Sequence, residues 1–385
     1  MFRTTLTHAA RCSSRAAQPQ AFAQSARTYA TAPASGSQSN TPLYLALGGL
    51  AGLGAWYATG GFGPAEKQKA KNAAQQAVSS ASSQLKEAAL TKDAFTEFTL
   101  KEVKPYNHDS STFVFELPDG KSSGLTIASA VVVKADGLND DKGKPIIRPY
   151  TPTTSPETVG HIDFLIKKYV SRLLSAATSV PKLTVRSFSK ENGNLSKHIH
   201  GLKPGDKIAI KGPIEKFQFD RPNIFEEIGL IAGGTGITPH WQVIQKLLND
   251  PADKTKITLV YANKTTDDIL LREQFDRWAK EKPDRFKVVY GTDQGDPPKG
   301  GFKGYITNEI LRANLPLPGK ADKIHVFVCG PPGQVEVISG GKGPKGSQGE
   351  LKGILADLGY APDQVYVMDF RSATKWSDQA HLYKF

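Results

Sequence analysis

The sequence predicts an α/β plus β protein: an antiparallel β-barrel domain, then a parallel-sheet α/β domain, behind an N-terminal membrane anchor. Three observations predict it. Short alternating strands divided by turns fill residues 94–222, with no long helical stretch among them. From 223 to 366, buried apolar runs alternate with helical stretches, the pattern of a parallel sheet with helices between its strands. Ahead of both, residues 41–63 contain no charge.

The 385 residues suffice for two domains with additions. The net charge of +12 is unevenly placed. Residues 1–65 hold four arginines and no acid, and residues 170–190 hold two arginines and two lysines and no acid. A targeting signal and a solvated surface account for this better than nucleic-acid binding, because basic and aromatic residues are not interleaved. The two cysteines, Cys12 and Cys329, lie far apart, so neither a disulfide framework nor a metal site is expected. Residues 1–40 are rich in Arg, Ser, Ala and Thr, with Arg3, Arg11, Arg15 and Arg27 spread along them, and the first acid of the chain is Glu66. That composition predicts a mitochondrial presequence, with an address-free tail as the alternative. A helix over 41–63 would rise about 34 Å, enough for a hydrocarbon core of about 30 Å. Tyr44 near one end, and Trp56 and Tyr57 near the other, suit the two interfaces. Because the stretch is glycine-rich, a buried or re-entrant helix is its alternative. Residues 64–93 turn to Ala, Gln, Lys and Ser and read as a polar linker.

In the first globular half, 95–100 and 112–117 alternate, and the second ends in the turn Pro118-Asp119-Gly120. Further strands are expected at 129–134 and at 208–211, before Gly212-Pro213. Two segments carry chemistry. Arg148-Pro149-Tyr150-Thr151-Pro152 sets a cation, an aromatic face and a hydroxyl on an extended strand, kept extended by its prolines. A flavin dinucleotide needs those groups: charge for its diphosphate, a flat ring beside its own, and a hydrogen bond near N5. A proline-rich edge strand carrying a surface Arg is an equal reading. Gly193-Asn194-Leu195-Ser196 offers backbone N–H groups and a hydroxyl at a helix start, fit for a diphosphate or for simple capping. His198 and His200 read as ordinary polar residues.

The second half opens on Ile228-Gly229-Leu230-Ile231-Ala232-Gly233-Gly234-Thr235-Gly236-Ile237-Thr238-Pro239: strand, glycine turn, helix start. Glycines let backbone approach a ligand closely, and N–H groups at a helix N-terminus suit phosphate; a tight strand-to-helix turn inside an ordinary α/β core is the alternative. Thr238 is expected to cap the helix and Pro239 to sit in its first turn, through about 249. Strands follow at 257–262, 286–290 and 324–328, with a helix at about 270–280. Asp268, just beyond the second strand, can bond ribose hydroxyls and repel a 2′-phosphate, or merely stabilise a helix start. Cys329-Gly330-Pro331-Pro332-Gly333 closes the last core strand. No base stands near Cys329 in sequence, so it is not read as a nucleophile, and simple core burial is its alternative reading.

RPYTP, the IKxY-type strand end Ile166-Lys167-Lys168-Tyr169, the G-x-[LM]-S segment, GGTGITP and CGPPG follow one another in an order that resembles the NADH-cytochrome b5 reductases, within the ferredoxin-reductase-like flavoenzymes. The resemblance runs from about 93 to 366, and the anchored front end is similar to that of fungal mitochondrial members. It implies an FAD-binding barrel domain at 94–222 and an NADH-binding α/β domain at 223–366. On the FAD side it implies contacts from Arg148, Pro149, Tyr150, Thr151, Ile166, Lys167, Tyr169, Gly193, Leu195, Ser196 and Thr238. Lys167 matches a family lysine near the nucleotide phosphates. On the NADH side it implies Gly233, Gly234, Thr235, Gly236, Asp268, Cys329, Gly330 and Pro331. Thr151 would tune flavin N5, and Cys329 would pack beside the nicotinamide. The implied activity is hydride transfer from NADH to FAD, then single electrons to cytochrome b5 or a similar haem protein, at the outer mitochondrial membrane. A form in the intermembrane space is the alternative location. The alternatives are a reductase with a quinone or ferredoxin-like acceptor, and a non-catalytic membrane-tethered flavoprotein.

Two segments depart from the family spacing. Without residues 170–190, Tyr169 would run directly into Glu191-Asn192-Gly193. Family chains commonly end in Gln-Val-Tyr/Phe-Lys-Phe, whereas here Gln364-Val365-Tyr366 precedes the tail 367–385. Both segments open with Val, whose codon begins GT, and Val170-Ser171 through Lys190 fits intron borders. One or both segments are therefore expected to be retained introns, with a real lineage-specific loop and tail as the alternative; a mature message carrying both would refute the intron reading.

Overall fold

The computed structural model describes residues 88–169, 194–215, 217–219 and 221–368. The expected presequence, the membrane segment 41–63, most of the linker, the segment 170–190, Gly193 and the tail beyond Met368 lie outside the described residues. The chain divides into two units, Met1–Gln84 and Leu85–Phe385, and every described residue belongs to the second. Among the described residues no helix is long and apolar enough to cross a membrane.

The first lobe is one six-stranded antiparallel sheet. Its strands are β1 (Thr96–Pro105), β2 (Ser110–Glu116), β3 (Ser129–Asn139), β4 (Pro145–Tyr150), β5 (His161–Lys167) and β6 (Lys207–Glu215), in the order β4-β3-β6-β1-β2-β5. The expected barrel is thus an antiparallel sheet whose edges, β4 and β5, share no ladder among the described residues. Its apolar positions make one core: Phe98 and Leu100 from β1, Phe113 and Phe115 from β2, Val131 and Val133 from β3, and Ile162, Phe164 and Ile166 from β5. Alternate strand residues share a face, so each pair two apart enters that core together. A short helix α1 (Asn194–Ile199) adds Leu195 and Ile199.

The linker ends earlier than expected. Ala89 and Leu90 are buried in the first-lobe core, and the Thr91 carbonyl accepts the Gly212 N–H at 3.0 Å. Apolar side chains at those two positions make the segment part of the lobe.

The second lobe is a six-stranded parallel sheet. It comprises β7 (Glu227–Gly233), α2 (Ile237–Asn249), β8 (Lys256–Asn263), α3 (Arg272–Glu281), β9 (Phe286–Thr292), β10 (Phe302–Lys303), α4 (Asn308–Asn314), β11 (Ile324–Cys329), α5 (Pro332–Ser339), α6 (Gly353–Asp357) and β12 (Val365–Val367). The strand order is β10-β9-β8-β7-β11-β12. The chain leaves β7 in one direction through β8 to β10, then returns to β11 on the other side of β7. That reversal makes a crevice at the carboxyl ends of β7 and β11, the place where open α/β sheets bind ligands. The predicted tail contributes to this sheet: Val367 pairs with Val328, and Met368 is buried with its N–H on the Val328 carbonyl at 2.8 Å. The lobe therefore reaches at least two residues past 366.

The first eight residues of α2, Ile237 to Ile244, are all buried. A helix buried around its circumference must have neighbours on more than one side. One side of α2 lies on the sheet, with Ile237, Ile244 and Leu247 in a core that also takes Ala128 and Leu165 from the first lobe.

Candidate functional site

β7 and β11 run in register with Ala232 opposite Cys329, so the turns that follow them emerge side by side. After β7, Gly234–Gly236 forms one 3-10 turn that passes into α2. A Cβ on Gly236 would run into the Cys329 carbonyl and come within 2.9 Å of the Gly330 nitrogen. A Cβ on Gly233 would lie 2.7 Å from Pro331 Cδ and overlap the Gln334 side chain. The two glycines therefore let GGTG close against CGPPG, backbone to backbone. Gly234 differs: its φ is +51° and a Cβ there would meet nothing within 4 Å. Its outer face is open, and its carbonyl is held from below by the buried Tyr261 hydroxyl at 3.0 Å. A turn locked on its inner side and open on its outer side, at the head of a 13-residue helix, is a fitting cradle for a phosphate.

Thr238 does not cap α2. The helix begins two residues earlier than expected, at Ile237 with Gly236 at the N-cap, and the Thr238 hydroxyl donates to the Thr235 carbonyl at 3.2 Å inside the first turn. Pro239 does occupy that first turn, where its missing N–H costs nothing.

Cys329 is buried at the end of β11, and its thiol donates to the Met368 carbonyl at 3.1 Å. The last described residue thus fixes the orientation of the sulfur beside the glycine turn.

On the facing lobe, β4 delivers Arg148, Pro149 and Tyr150, and Thr151 follows, buried. Arg148 Nη1 donates to the Ile147 carbonyl at 2.9 Å. Tyr150 stands edge-on to Phe164, with ring centres 6.4 Å apart. Burial pushes the Tyr150 hydroxyl above its ordinary pKa, nearby Tyr169 adds to that, and Arg148 opposes it. The side chains of Ile166 and Leu195 belong to the first-lobe core, at 3% and 2% exposure, so only their backbone can face a ligand. The Ser196 hydroxyl oxygen accepts the Tyr169 N–H at 3.2 Å. The two flanks of segment 170–190 therefore meet, as the family spacing requires.

Expected site residues meet across the seam. The Tyr169 hydroxyl lies 2.8 Å from Thr235 Oγ1, in hydrogen-bond contact with the glycine turn. Lys167 Nζ lies 2.8 Å from Asp109 Oδ2 and 2.8 Å from Asp268 Oδ1. Burial favours the neutral form of Lys167, but its bonds to Asp109 and Asp268 outweigh that and raise its pKa. Burial likewise opposes the charge on Asp268, and Lys167 and Thr265 outweigh it, so its pKa is lowered. Asp268 Oδ2 also accepts the Thr265 N–H at 3.0 Å and its hydroxyl at 2.7 Å, a capping box. His108, Asp109 and Asp268 converge closely enough to suit a cation, but Lys167 already bridges the two carboxylates.

The β1–β2 turn was not legible as part of this seam. Tyr106 accepts the Leu271 N–H at 2.6 Å, and Asn107 donates to the Asp267 carbonyl at 2.8 Å. A polar turn has no periodicity to mark it. A cavity of about 440 Å³ lies at the same seam, walled by Tyr106, Asn107, Asp267 and Arg272 among others, and none of the expected site residues lines it.

Known proteins fit this geometry. The profile of a family described as "Oxidoreductase FAD-binding domain" matches residues 97–219, and that of "Oxidoreductase NAD-binding domain" matches 230–339. The chain is 55% identical over 370 residues to NADH-cytochrome b5 reductase 2 of Mycosarcoma maydis, covering 94% of this chain and 97% of that one. It is 42% identical to the protein of the same name from Botryotinia fuckeliana, over 93% of this chain and 99% of that one. Among solved structures, the cytochrome b5 reductase domain of Ulva prolifera nitrate reductase matches with a TM-score of 0.56 and 32% identity, over 65% of this chain and 92% of that one.

Proposed function

This chain belongs to the NADH-cytochrome b5 reductase family, and from that premise we infer how its residues divide the work. It is an FAD-dependent oxidoreductase that takes electrons from NADH and passes them to cytochrome b5. FAD supplies the chemistry, taking electrons in pairs and releasing them singly.

The observation that carries the reading is the turn at Gly233 to Gly236, locked against Cys329 and Gly330 and open at Gly234. Its N–H groups and the α2 N-terminus would hold the NADH diphosphate, with Thr235 beside them. Gly330 and Pro331 would shape the wall for the nicotinamide, and Cys329, oriented by Met368, would pack beside that ring. Asp268, charged and fixed by Lys167 and Thr265, would disfavour a 2′-phosphate and so favour NADH over NADPH. Facing it, Arg148 would meet the FAD diphosphate with charge, Tyr150 would offer a flat face, and the Thr151 hydroxyl would serve N5. The N–H groups of Gly193, Leu195 and Ser196 would complete the diphosphate site, with Tyr169 beside them.

The test is direct. Purified protein carries a flavin absorbance that NADH bleaches without oxygen, and added cytochrome b5 restores it faster than a soluble dye does. Cytochrome b5 acting no faster than the dye points to another acceptor, such as a quinone or ferredoxin-like protein.

The same reading places the chain in the outer mitochondrial membrane through residues 41–63, behind the presequence 1–40. Its support is the uncharged stretch and the acid-free, arginine-bearing leader. Alkaline extraction of mitochondria is expected to leave the protein in the membrane pellet; release to the supernatant would refute the anchor.

A further inference from the structure

Helix α2 begins at the glycine turn. Six residues past Gly236, about 9 Å along the axis, it presents Gln242 to the other lobe. Gln242 is 6% exposed. Its Nε2 donates to the Pro152 carbonyl at 2.9 Å, and its Oε1 accepts the Ser129 N–H at 3.1 Å. Both bonds go to backbone of the first lobe. The neighbouring Trp241 donates from Nε1 to the Thr153 carbonyl at 2.8 Å, and its ring packs on Trp278 at 5.1 Å. The first lobe holds the same strip from the other side, where the Thr153 N–H reaches the Asp163 carbonyl at 2.8 Å.

Thr151 therefore sits at the head of a strip, 151–153, clamped between β5 and α2. Apolar side chains would suffice to fill this seam. A buried amide with both ends bonded fixes a position as well as a contact, because leaving either backbone group without its partner is costly. The clamp acts on the two residues that follow Thr151, and the helix that applies it starts at the turn that would hold the NADH diphosphate, packed against the Cys329–Gly330 wall that would face the nicotinamide.

We propose that Gln242, with Trp241 beside it, is a positioning residue for hydride transfer, in which α2 sets the distance between the seat at Gly233 to Gly236 and Thr151. This rests on the functional reading above. Reaction between held partners depends steeply on their separation and alignment, so a small drift of Thr151 slows transfer without weakening the binding of either nucleotide.

The experiment compares the wild-type chain with Gln242→Leu, which keeps the bulk and removes both bonds. Four quantities are measured: FAD affinity of the apoprotein by flavin fluorescence, the limiting rate of anaerobic flavin reduction by NADH, its isotope effect with 4-deuterated NADH, and hydrogen exchange at the Ser129 amide. The expected variant keeps FAD affinity, loses protection at Ser129, and reduces flavin about tenfold more slowly with a larger isotope effect. A reduction rate within about twofold of wild type, with Ser129 unprotected, overturns the proposal. So does a loss of FAD affinity that accounts for the whole loss of rate, since that is a structural role. If Gln242→Leu does not fold, Trp241→Phe keeps an aromatic ring beside Trp278 and removes the bond to Thr153 together with part of the indole; an unchanged reduction rate there overturns the proposal too. A wild-type flavin that NADH fails to bleach defeats the functional reading itself, and this role with it, before any variant is compared.

Discussion

Asp268 belongs to both lobes. Its own lobe caps it through Thr265, and Lys167 reaches it from the first lobe. Sequence alone showed an acid just past the second strand of the parallel sheet and gave it a choice between ribose and helix start. The capping half of that choice is present in the structure, and the ion pair with Lys167 was invisible, because partners on different lobes leave no spacing to read. The pair keeps the carboxylate ionised, which is what discrimination against a 2′-phosphate requires. Asp268→Ala is expected to lower the ratio of kcat/KM for NADH over NADPH by about tenfold or more. Steady-state kinetics with both nucleotides checks this, and an unchanged ratio would remove Asp268 from nucleotide choice. Ile166 and Leu195 teach a different lesson at this scale. Family motifs marked their positions, but apolar side chains beside a core are drawn into it, leaving only their backbone for the ligand.

The glycine turn is the element on which the site depends, and its glycines are not equivalent. Gly236 has the Cys329 carbonyl where a Cβ would go, while Gly234 has open space but a φ of +51°. Gly236→Ala is expected to destabilise the lobe by about 2 kcal/mol or more and to abolish tight NADH binding, since backbone must move on both sides of the seat. Gly234→Ala carries only the strain of a left-handed residue, about 1 kcal/mol. Thermal unfolding and NADH titration of the two variants check the contrast; equal losses would mean that the close approach of the two turns does not matter. The turn, the strand before it and the helix after it were all legible, because an apolar run, glycines and helical periodicity each have a distinct signature. The cap was misplaced by two residues, since Thr238 has the right chemistry for a cap but backbone contacts started the helix sooner. Gln242 and Trp241 were not legible at all: on a helix face they look like any polar and aromatic pair, and only the neighbouring lobe gives them a task.

At the scale of the molecule, two sheets of opposite kinds meet along α2, the FAD-binding family match falling on the first and the NAD-binding match on the second. The classes of both sheets could be read from the chain, since alternation without long helices and alternation with them are different patterns. The closure of the first sheet could not, because nothing local in a strand says which neighbour its outer edge will find. The linker and tail boundaries each fell a few residues wrong for one reason: Ala89, Leu90, Val367 and Met368 are apolar and were taken into the fold, whereas composition alone had assigned them to polar or atypical segments. The central step is the passage of electrons from NADH through the flavin to a haem protein. The measurement is an anaerobic absorbance titration of the purified full-length chain with NADH, followed by rapid mixing with cytochrome b5. About one equivalent of NADH is expected to bleach the flavin, and cytochrome b5 then to restore its absorbance while becoming reduced. A flavin that stays yellow through excess NADH would contradict that step.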